Sequence, residues 1–135
     1  MIKWDTLTTA EDKLEDYKQS KRQWLNQERD RLIYNGLHYD GNHYQTRPED
    51  ITNIMGAVQV AQLAAAAGQE FQTQWLTSDN QEIPMGLSEL AGLGVALAEH
   101  KKRLVYKCRE HKEALDHLPT KDAVDEYLLQ LDWGQ

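Results

Sequence analysis

The five histidines are the first candidates for chemistry in this sequence, because neutral imidazole is a common metal ligand. His38 and His43 flank a predicted turn, and we expect them to face each other across a hairpin. His100, His111 and His117 fall on one predicted helix, but no imidazole or carboxylate follows at the i+4 spacing of a ligand pair. We therefore predict no metal site, and we expect these histidines at a surface or an interface.

The other residue types that commonly carry catalysis lack a suitable setting. Cys108 lies among basic side chains that could lower the pKa of its thiol, but no Cys/His signature supplies a base. Gly86, Gly92 and Gly94 are not followed by the Lys and Ser or Thr of a phosphate-binding loop. Pairs of carboxylates have no predicted apolar enclosure that would tune their pKa values. The sequence therefore predicts a protein that is not an enzyme and needs no cofactor.

Size and charge limit both the fold and the partners. The 135 residues have room for one domain, and 15 basic against 22 acidic residues give a net charge of −7. This charge disfavours binding to nucleic acid or to an anionic membrane. A single cysteine excludes an internal disulfide. The longest apolar run is far shorter than the roughly 20 residues of a membrane span, so we expect a soluble chain without a leader.

Hydrophobic spacing predicts two long helices and two shorter ones. A helix over residues 9–34 carries a thin apolar stripe, which must be covered either by the rest of the chain or by a second copy. A helix from Leu87 to about His117 would be about 45 Å long, so we expect its C-terminal half to project. Pro48 begins a helix that ends at Gly68, and Thr120 can cap a last short helix.

Two hairpins complete the predicted fold. Residues 37–45 place aromatic and apolar side chains on both sides of a turn, and alternation over Phe71–Thr77 and Gln81–Met85 indicates a second pair of strands. The resulting class is α+β, with a small antiparallel sheet of about four strands packed with long N-terminal and C-terminal helices. We expect residues 1–35 to form a helical extension and residues 36–135 to form the α+β domain.

A series of positions along the chain, in order and with matching gaps, is similar to a bacteriophage tail domain of unknown function. That family occurs in phage and prophage tail-fibre and tail-fibre-assembly proteins, and the resemblance covers roughly residues 20–130. Two positions differ from its usual pattern, since Tyr44 replaces a more common Phe and Asp40 a more common Asn. The matched positions are Tyr39-Asp40-Gly41, Tyr44, Asn53-Ile54, Gly56-Ala57-Val58, Gly68, Phe71, Trp75, Asp79-Asn80, Leu87, Leu90, Leu93, His100 and Tyr106.

The resemblance implies a virion or assembly role and offers no established catalytic residues. The first interpretation is a non-enzymatic structural component of a phage tail, at the tail fibre or baseplate, made in the cytoplasm of the bacterial host. The alternative is a tail-fibre assembly chaperone that is absent from the mature virion. A third interpretation is a host-glycan-binding module that uses Trp75 or Tyr44.

The expected partners are other tail proteins and further copies of the chain, with a trimer if the assembly follows fibre symmetry. Exposed apolar stripes on the long helices are suited to such contacts. We predict that the following residues bind partners: Trp4, Trp24, Leu104, Val105 and Trp133.

Overall fold

A computed structural model describes residues 9–134, and its elements confirm the predicted α+β class with two hairpins and long helices towards both ends. The described part contains four helices and four strands. No helix in this part combines the length and the apolar character that a membrane span requires. In chain order the elements are α1 (Ala10–Ile33), β1 (Leu37–Tyr39), β2 (Asn42–Tyr44), α2 (Pro48–Ala66), β3 (Thr73–Leu76), β4 (Glu82–Met85), α3 (Leu87–Asp116) and α4 (Lys121–Leu129).

Side-chain caps fix several of the helix ends. Thr9 and Asp12 cap α1 reciprocally: the Thr9 hydroxyl accepts from the Asp12 N–H at 3.1 Å, and the Asp12 carboxylate accepts from the Thr9 N–H at 3.2 Å. The Thr120 hydroxyl accepts from the Ala123 N–H at 3.1 Å at the start of α4. After α2, Gly68 has a φ of +73°, as expected for a left-handed helix stop. The predicted cap at Thr120 and the stop at Gly68 are confirmed.

The chain divides into two compact units. Of the described residues, 9–29 and 104–134 form one unit, which we call the helical unit, and Asp30–Arg103 form the other, the hairpin unit. Helices α1 and α3 therefore each contribute a segment to both units. This division differs from the expected one between residues 1–35 and 36–135. The first part of α1 packs with the end of α3 and with α4, so it is not a separate extension.

The helical unit packs its three helical segments around a small apolar core. Leu25 of α1, Cys108 and Leu115 of α3 and Val124 of α4 have no exposed surface. Leu104, also fully buried, continues the α3 stripe one turn before Cys108. The apolar stripe of the C-terminal half of α3 is therefore covered by α1 and α4 of the same chain.

Polar contacts show that α1 and α3 run antiparallel in this unit. The Asn26 side-chain oxygen accepts from Lys112 Nζ at 2.7 Å. One turn earlier on α1, Arg22 donates to an Asp116 carboxylate oxygen at 2.5 Å, and its other nitrogen donates to Glu15. Hydrogen bonds and charge pairs thus fix the register in which the two apolar stripes meet.

The hairpin unit packs α2, the first half of α3 and both hairpins around a second core. Gly92 and Gly94 allow α3 to approach its neighbours closely. A Cβ at Gly92 would overlap the Tyr39 hydroxyl, and one at Gly94 would lie 3.3 Å from Cγ2 of Val58. The fully buried hydrophobic residues of this core are Tyr44, Ile54, Ala61, Met85, Leu90, Leu93 and Leu97.

The four strands form two separate two-stranded sheets, β1–β2 and β3–β4, rather than the one sheet that we expected. His38 pairs with His43 across the first hairpin, with ring centroids 4.6 Å apart, which confirms that they face each other. The Ser78 N–H donates to the His43 carbonyl at 2.8 Å, so the hairpins touch at the end of β3. Apart from this hydrogen bond, β2 and β3 do not form a ladder of backbone hydrogen bonds.

The buried hydroxyl of Thr46 holds the chain at the end of β2 away from the edge of β3. Thr46, just after β2, has no exposed surface, and its hydroxyl donates to the Ile33 carbonyl at 2.6 Å. The same oxygen accepts from the N–H of Gly36 at 2.9 Å. Gly36 has a φ of +101°, a conformation that favours glycine. Thr46 thus fixes the chain after β2 against the end of α1, and this segment does not continue alongside β3.

His100 links the same end of α1 to α3. It is 3% exposed, its Nε2 lies 3.3 Å from the Leu32 carbonyl, and its Nδ1 lies 3.3 Å from an Arg103 nitrogen. Arg103 is a donor, so a neutral imidazole satisfies both contacts by donating from Nε2 and accepting at Nδ1. Burial lowers the pKa of His100, and the nearby Arg103 charge adds to this effect.

We expect the free energy of unfolding to decrease between pH 7.5 and pH 5. The unfolded imidazole takes up a proton near its ordinary pKa of about 6.5, whereas folded His100 does so only at lower pH. Urea denaturation at several pH values measures this loss. In the His100→Gln variant the free energy of unfolding should depend less on pH than in the wild type. The control variant His117→Gln, at an exposed position, should keep the wild-type dependence. Equal slopes of the free energy of unfolding against pH in the two variants would contradict the assignment of the effect to His100.

Thr46→Val should lower the free energy of unfolding by about 1–3 kcal/mol, because it leaves the Gly36 N–H and the Ile33 carbonyl without this partner. Thr46→Ser is the matched control: it keeps the hydroxyl and should lose at most about 1 kcal/mol for the missing methyl group. Urea denaturation of both variants tests this, and wild-type stability of the valine variant would refute the role given to the hydroxyl.

Candidate interaction surfaces

The predicted contact residue Trp24 borders a shallow surface cavity of the helical unit. The cavity has a volume of about 380 Å³. Trp24 is 38% exposed and Leu129, near the end of α4, is 86% exposed. We call this cavity the Trp24 groove; its lining residues are Lys21, Trp24, Asp125, Leu128 and Leu129.

Helical spacing brings the groove residues together. Lys21 and Trp24 are three positions apart on α1, and Asp125 is followed at three and four positions by Leu128 and Leu129 on α4. A basic and an acidic side chain thus border an apolar centre, the arrangement found where proteins bind one another. Leu128 and Leu129 were not among the predicted contacts, although the exposure of Leu129 on a short helix makes it the most accessible apolar residue here.

A hydrogen bond between α1 and α4 positions both walls of the groove. The Tyr17 hydroxyl donates to the Asp125 carboxylate. This bond raises the pKa of the Tyr17 phenol, because it favours the protonated form. The Tyr17 ring also lies between two cations, with Lys21 Nζ at 5.2 Å and Lys121 Nζ at 5.3 Å from its centroid.

The remaining predicted contact residues have different environments. Trp4 lies outside the described residues. Leu104 has no exposed surface, so it cannot contact a partner while the helical unit is folded, and we remove it from the contact set. Val105 is 41% exposed, and the half-buried ring of Trp133 packs on His111 with centroids 5.1 Å apart.

His111 anchors the segment that follows α4. Its Nδ1 lies 2.6 Å from the Tyr127 hydroxyl oxygen, and its Nε2 lies 2.8 Å from the Asp132 carbonyl. A neutral ring that donates from Nε2 and accepts at Nδ1 satisfies both groups. His111 is 7% exposed and His100 3%, so the expectation of surface or interfacial histidines is wrong for these two, which are buried with hydrogen-bond partners.

A second cavity, of about 460 Å³, lies in the hairpin unit along β3. Seven of the nine residues that line it are polar. Its charged residues are paired, since Arg47 Nε donates to an Asp50 carboxylate oxygen at 2.7 Å. We call this cavity the β3 cleft; its lining residues are Gln45, Arg47, Asp50, Asn53, Gln74, Trp75, Leu76, Thr77 and Asn80.

The start of α2 forms one wall of the β3 cleft. Pro48 occupies the first turn, and the Asp50 carboxylate accepts from the Arg47 backbone N–H at 3.0 Å. The hydrogen bond from the Arg47 side chain lowers the pKa of the Asp50 carboxyl, so this group stays ionised and paired. Asn53 follows one turn later on the same face. The wall therefore offers polar groups with little net charge.

From the sequence, Trp75 was named only as a residue of the glycan-binding interpretation. The polar residues of this cleft were missed, because single amides in loops and strands carry no recognisable spacing. Tyr44, the other residue of the glycan-binding interpretation, is 1% exposed and cannot stack on a sugar. Trp75 is itself packed against the core of the hairpin unit, which leaves only part of its ring accessible. Residues 9–134 contain no group of three His, Cys, Asp or Glu side chains that could hold a metal ion.

A comparison with protein-family models shows the family of the chain. A family model described as "Domain of unknown function (DUF4376)" matches residues 16–128. None of the curated proteins and none of the solved structures that were searched matches the chain significantly. The description of the family names no activity, ligand or partner. The matched range covers most of the α1–α4 fold described above, and the chain therefore belongs to the DUF4376 family.

Proposed function

We propose that this chain is a non-enzymatic structural component of a bacteriophage tail, at the tail fibre or baseplate of the virion. The resemblance of its sequence to a phage tail domain supports this proposed location in the virion. The Trp24 groove supports the mode of action, which is attachment to other tail proteins. Further copies of the chain belong to the same assembly, as a trimer if it follows the symmetry of a fibre.

The exposure of Leu129 beside Trp24 is the observation that carries the attachment role. Leu129 is 86% exposed and Trp24 is 38% exposed, whereas the apolar core residues Leu25, Cys108, Leu115 and Val124 have no exposed surface. Tryptophan is enriched among the residues that dominate binding energy, because it buries a large apolar area with few rotatable bonds. A partner that covers this pair removes apolar surface from water at the centre of an interface.

The charges at the rim orient the partner. Lys21 and Asp125 border the groove on opposite helices, and Tyr17 holds the Asp125 carboxylate in place. Paired charges at a rim contribute more to orientation and specificity than to affinity. A specific interface buries about 800 Å² on each partner, so the groove would form the centre and the neighbouring helix surface the rim.

Combined substitution of Trp24→Ala and Leu129→Ser should reduce the number of copies bound to purified tails by about tenfold or more, because both apolar anchors are lost. The matched control is Val95→Ser, which changes an exposed apolar residue of α3 outside the groove lining and outside the predicted contact set. Quantitative mass spectrometry of tails from phage that encode each variant measures incorporation. Circular dichroism shows whether each variant is folded.

Normal incorporation of the folded double variant would refute the groove as the attachment site. The same mass spectrometry separates the structural role from the assembly-chaperone alternative. If the wild-type chain is needed to form tails but is missing from purified virions, it acts in assembly and is not a structural component.

A further inference from the structure

The β3 cleft lies beside the edge of a strand rather than over the face of a sheet. Residues 74–77 are consecutive and all line the cleft, although alternate side chains of a strand point to opposite faces. Within the described chain, the lining includes no residue of β4, which pairs with β3 on the other side. Lining by three successive strand residues and the residue that follows them is expected along the unpaired edge of β3.

The hydrogen bond that closes the second hairpin sets the pattern of the ladder. The Thr77 N–H donates to the Gln81 carbonyl at 2.9 Å. In an antiparallel pair, hydrogen-bonded and non-hydrogen-bonded pairs alternate along the strands. Trp75 lies two positions before Thr77, so Trp75 and its partner Ile83 form the next hydrogen-bonded pair of the ladder.

The intervening residues direct their backbone groups the other way. Gln74 and Leu76 are paired in register with Pro84 and Glu82 but occupy the non-hydrogen-bonded positions. Pro84 has no N–H to donate, which agrees with this assignment. The backbone N–H and C=O groups of Gln74 and Leu76 therefore point away from β4 and towards the β3 cleft.

The opposite wall favours an uncharged occupant. It carries the amides of Gln45 and Asn53 together with the Arg47–Asp50 ion pair, whose two charges already satisfy each other. An unpaired charge brought into this cleft would lose hydration without gaining a free partner. Amide side chains, in contrast, can donate to and accept from a peptide backbone or another amide.

We propose that the β3 cleft binds an extended, uncharged segment of a partner protein, which adds as a strand to the free edge of β3. Backbone groups of Gln74 and Leu76 pair with the segment, and the amides of the opposite wall contact its other side. Four strand residues at about 3.3 Å each give a paired length of about 13 Å. The proposal is independent of the Trp24 groove, which lies in the other unit and uses apolar contacts.

A peptide accounts for the cleft better than a saccharide does. A sugar ring requires an accessible aromatic face, but Trp75 is packed against the core and Tyr44 is buried. A strand edge instead presents donors and acceptors at the repeat of another extended backbone. Natural proteins protect such edges or use them for pairing with another chain.

The test uses the folded full chain and a library of uncharged hexapeptides rich in Val, Thr, Ile and Gln. The hexapeptides that bind are remade with N-methyl groups on one or the other set of alternate residues. Strand addition predicts that methylating the set that faces β3 weakens binding by about tenfold or more, because it removes the donors that pair with the edge. Methylating the other set should have a much smaller effect.

A pair of chain variants provides the second arm. Leu76→Pro removes the N–H that points into the cleft, at a position where an edge strand tolerates proline. Leu76→Ala keeps this N–H and controls for the side chain. Loss of binding in the proline variant with binding retained in the alanine variant supports the proposal, and the N-methyl comparison stands by itself if the proline variant does not fold.

Several results would overturn strand addition. These are the absence of any bound hexapeptide, equal effects of the two N-methyl sets, and equal binding by the folded proline variant. Binding of an uncharged oligosaccharide on a glycan array, with all peptides silent, would assign the cleft to a saccharide. Dimerisation of the chain through this edge, with no peptide bound, would assign it to a second copy.

Discussion

The hairpin unit depends on the buried hydroxyl of Thr46, which joins the chain after β2 to the end of α1. Without these hydrogen bonds, the chain at the end of β2 could pair with the outer edge of β3, and the two hairpins would form one four-stranded sheet. The two hairpins instead meet where Ser78 bonds to His43, through both the backbone and the side chains. The β3 cleft lies beside the edge of β3 that is not paired with β4.

In the helical unit, the main constraint is that the apolar stripes of the long helices must be covered. Leu25, Cys108 and Leu115 meet one another and Val124, so the chain itself hides most of the apolar surface that seemed available to partners. Part of the accessible remainder in this unit lies around Trp24 and Leu129, and Val105 and Tyr106 of α3 are also exposed. The proposed attachment therefore relies on a small groove and not on whole helix faces.

Local signals in the sequence predicted the elements well, because caps, turns and periodicity act between near neighbours. Thr9, Gly68 and Thr120 mark helix ends, and the facing pair His38 and His43 follows from the hairpin. The packing of α3 against α1 and α4 could not be predicted in this way, since it depends on contacts between residues about 80 to 100 positions apart. The same limit hid the buried role of His111 and every polar residue of the β3 cleft.

Residue-resolved amide hydrogen exchange of the free chain measures directly whether the outer edge of β3 is unpaired. The N–H groups of Gln74 and Leu76 should exchange about tenfold or more faster than those of Trp75 and Thr77, which are bonded within the hairpin. Equal protection of all four amides would show that the edge is already paired, and it would contradict the assignment of the cleft as a site for an added strand.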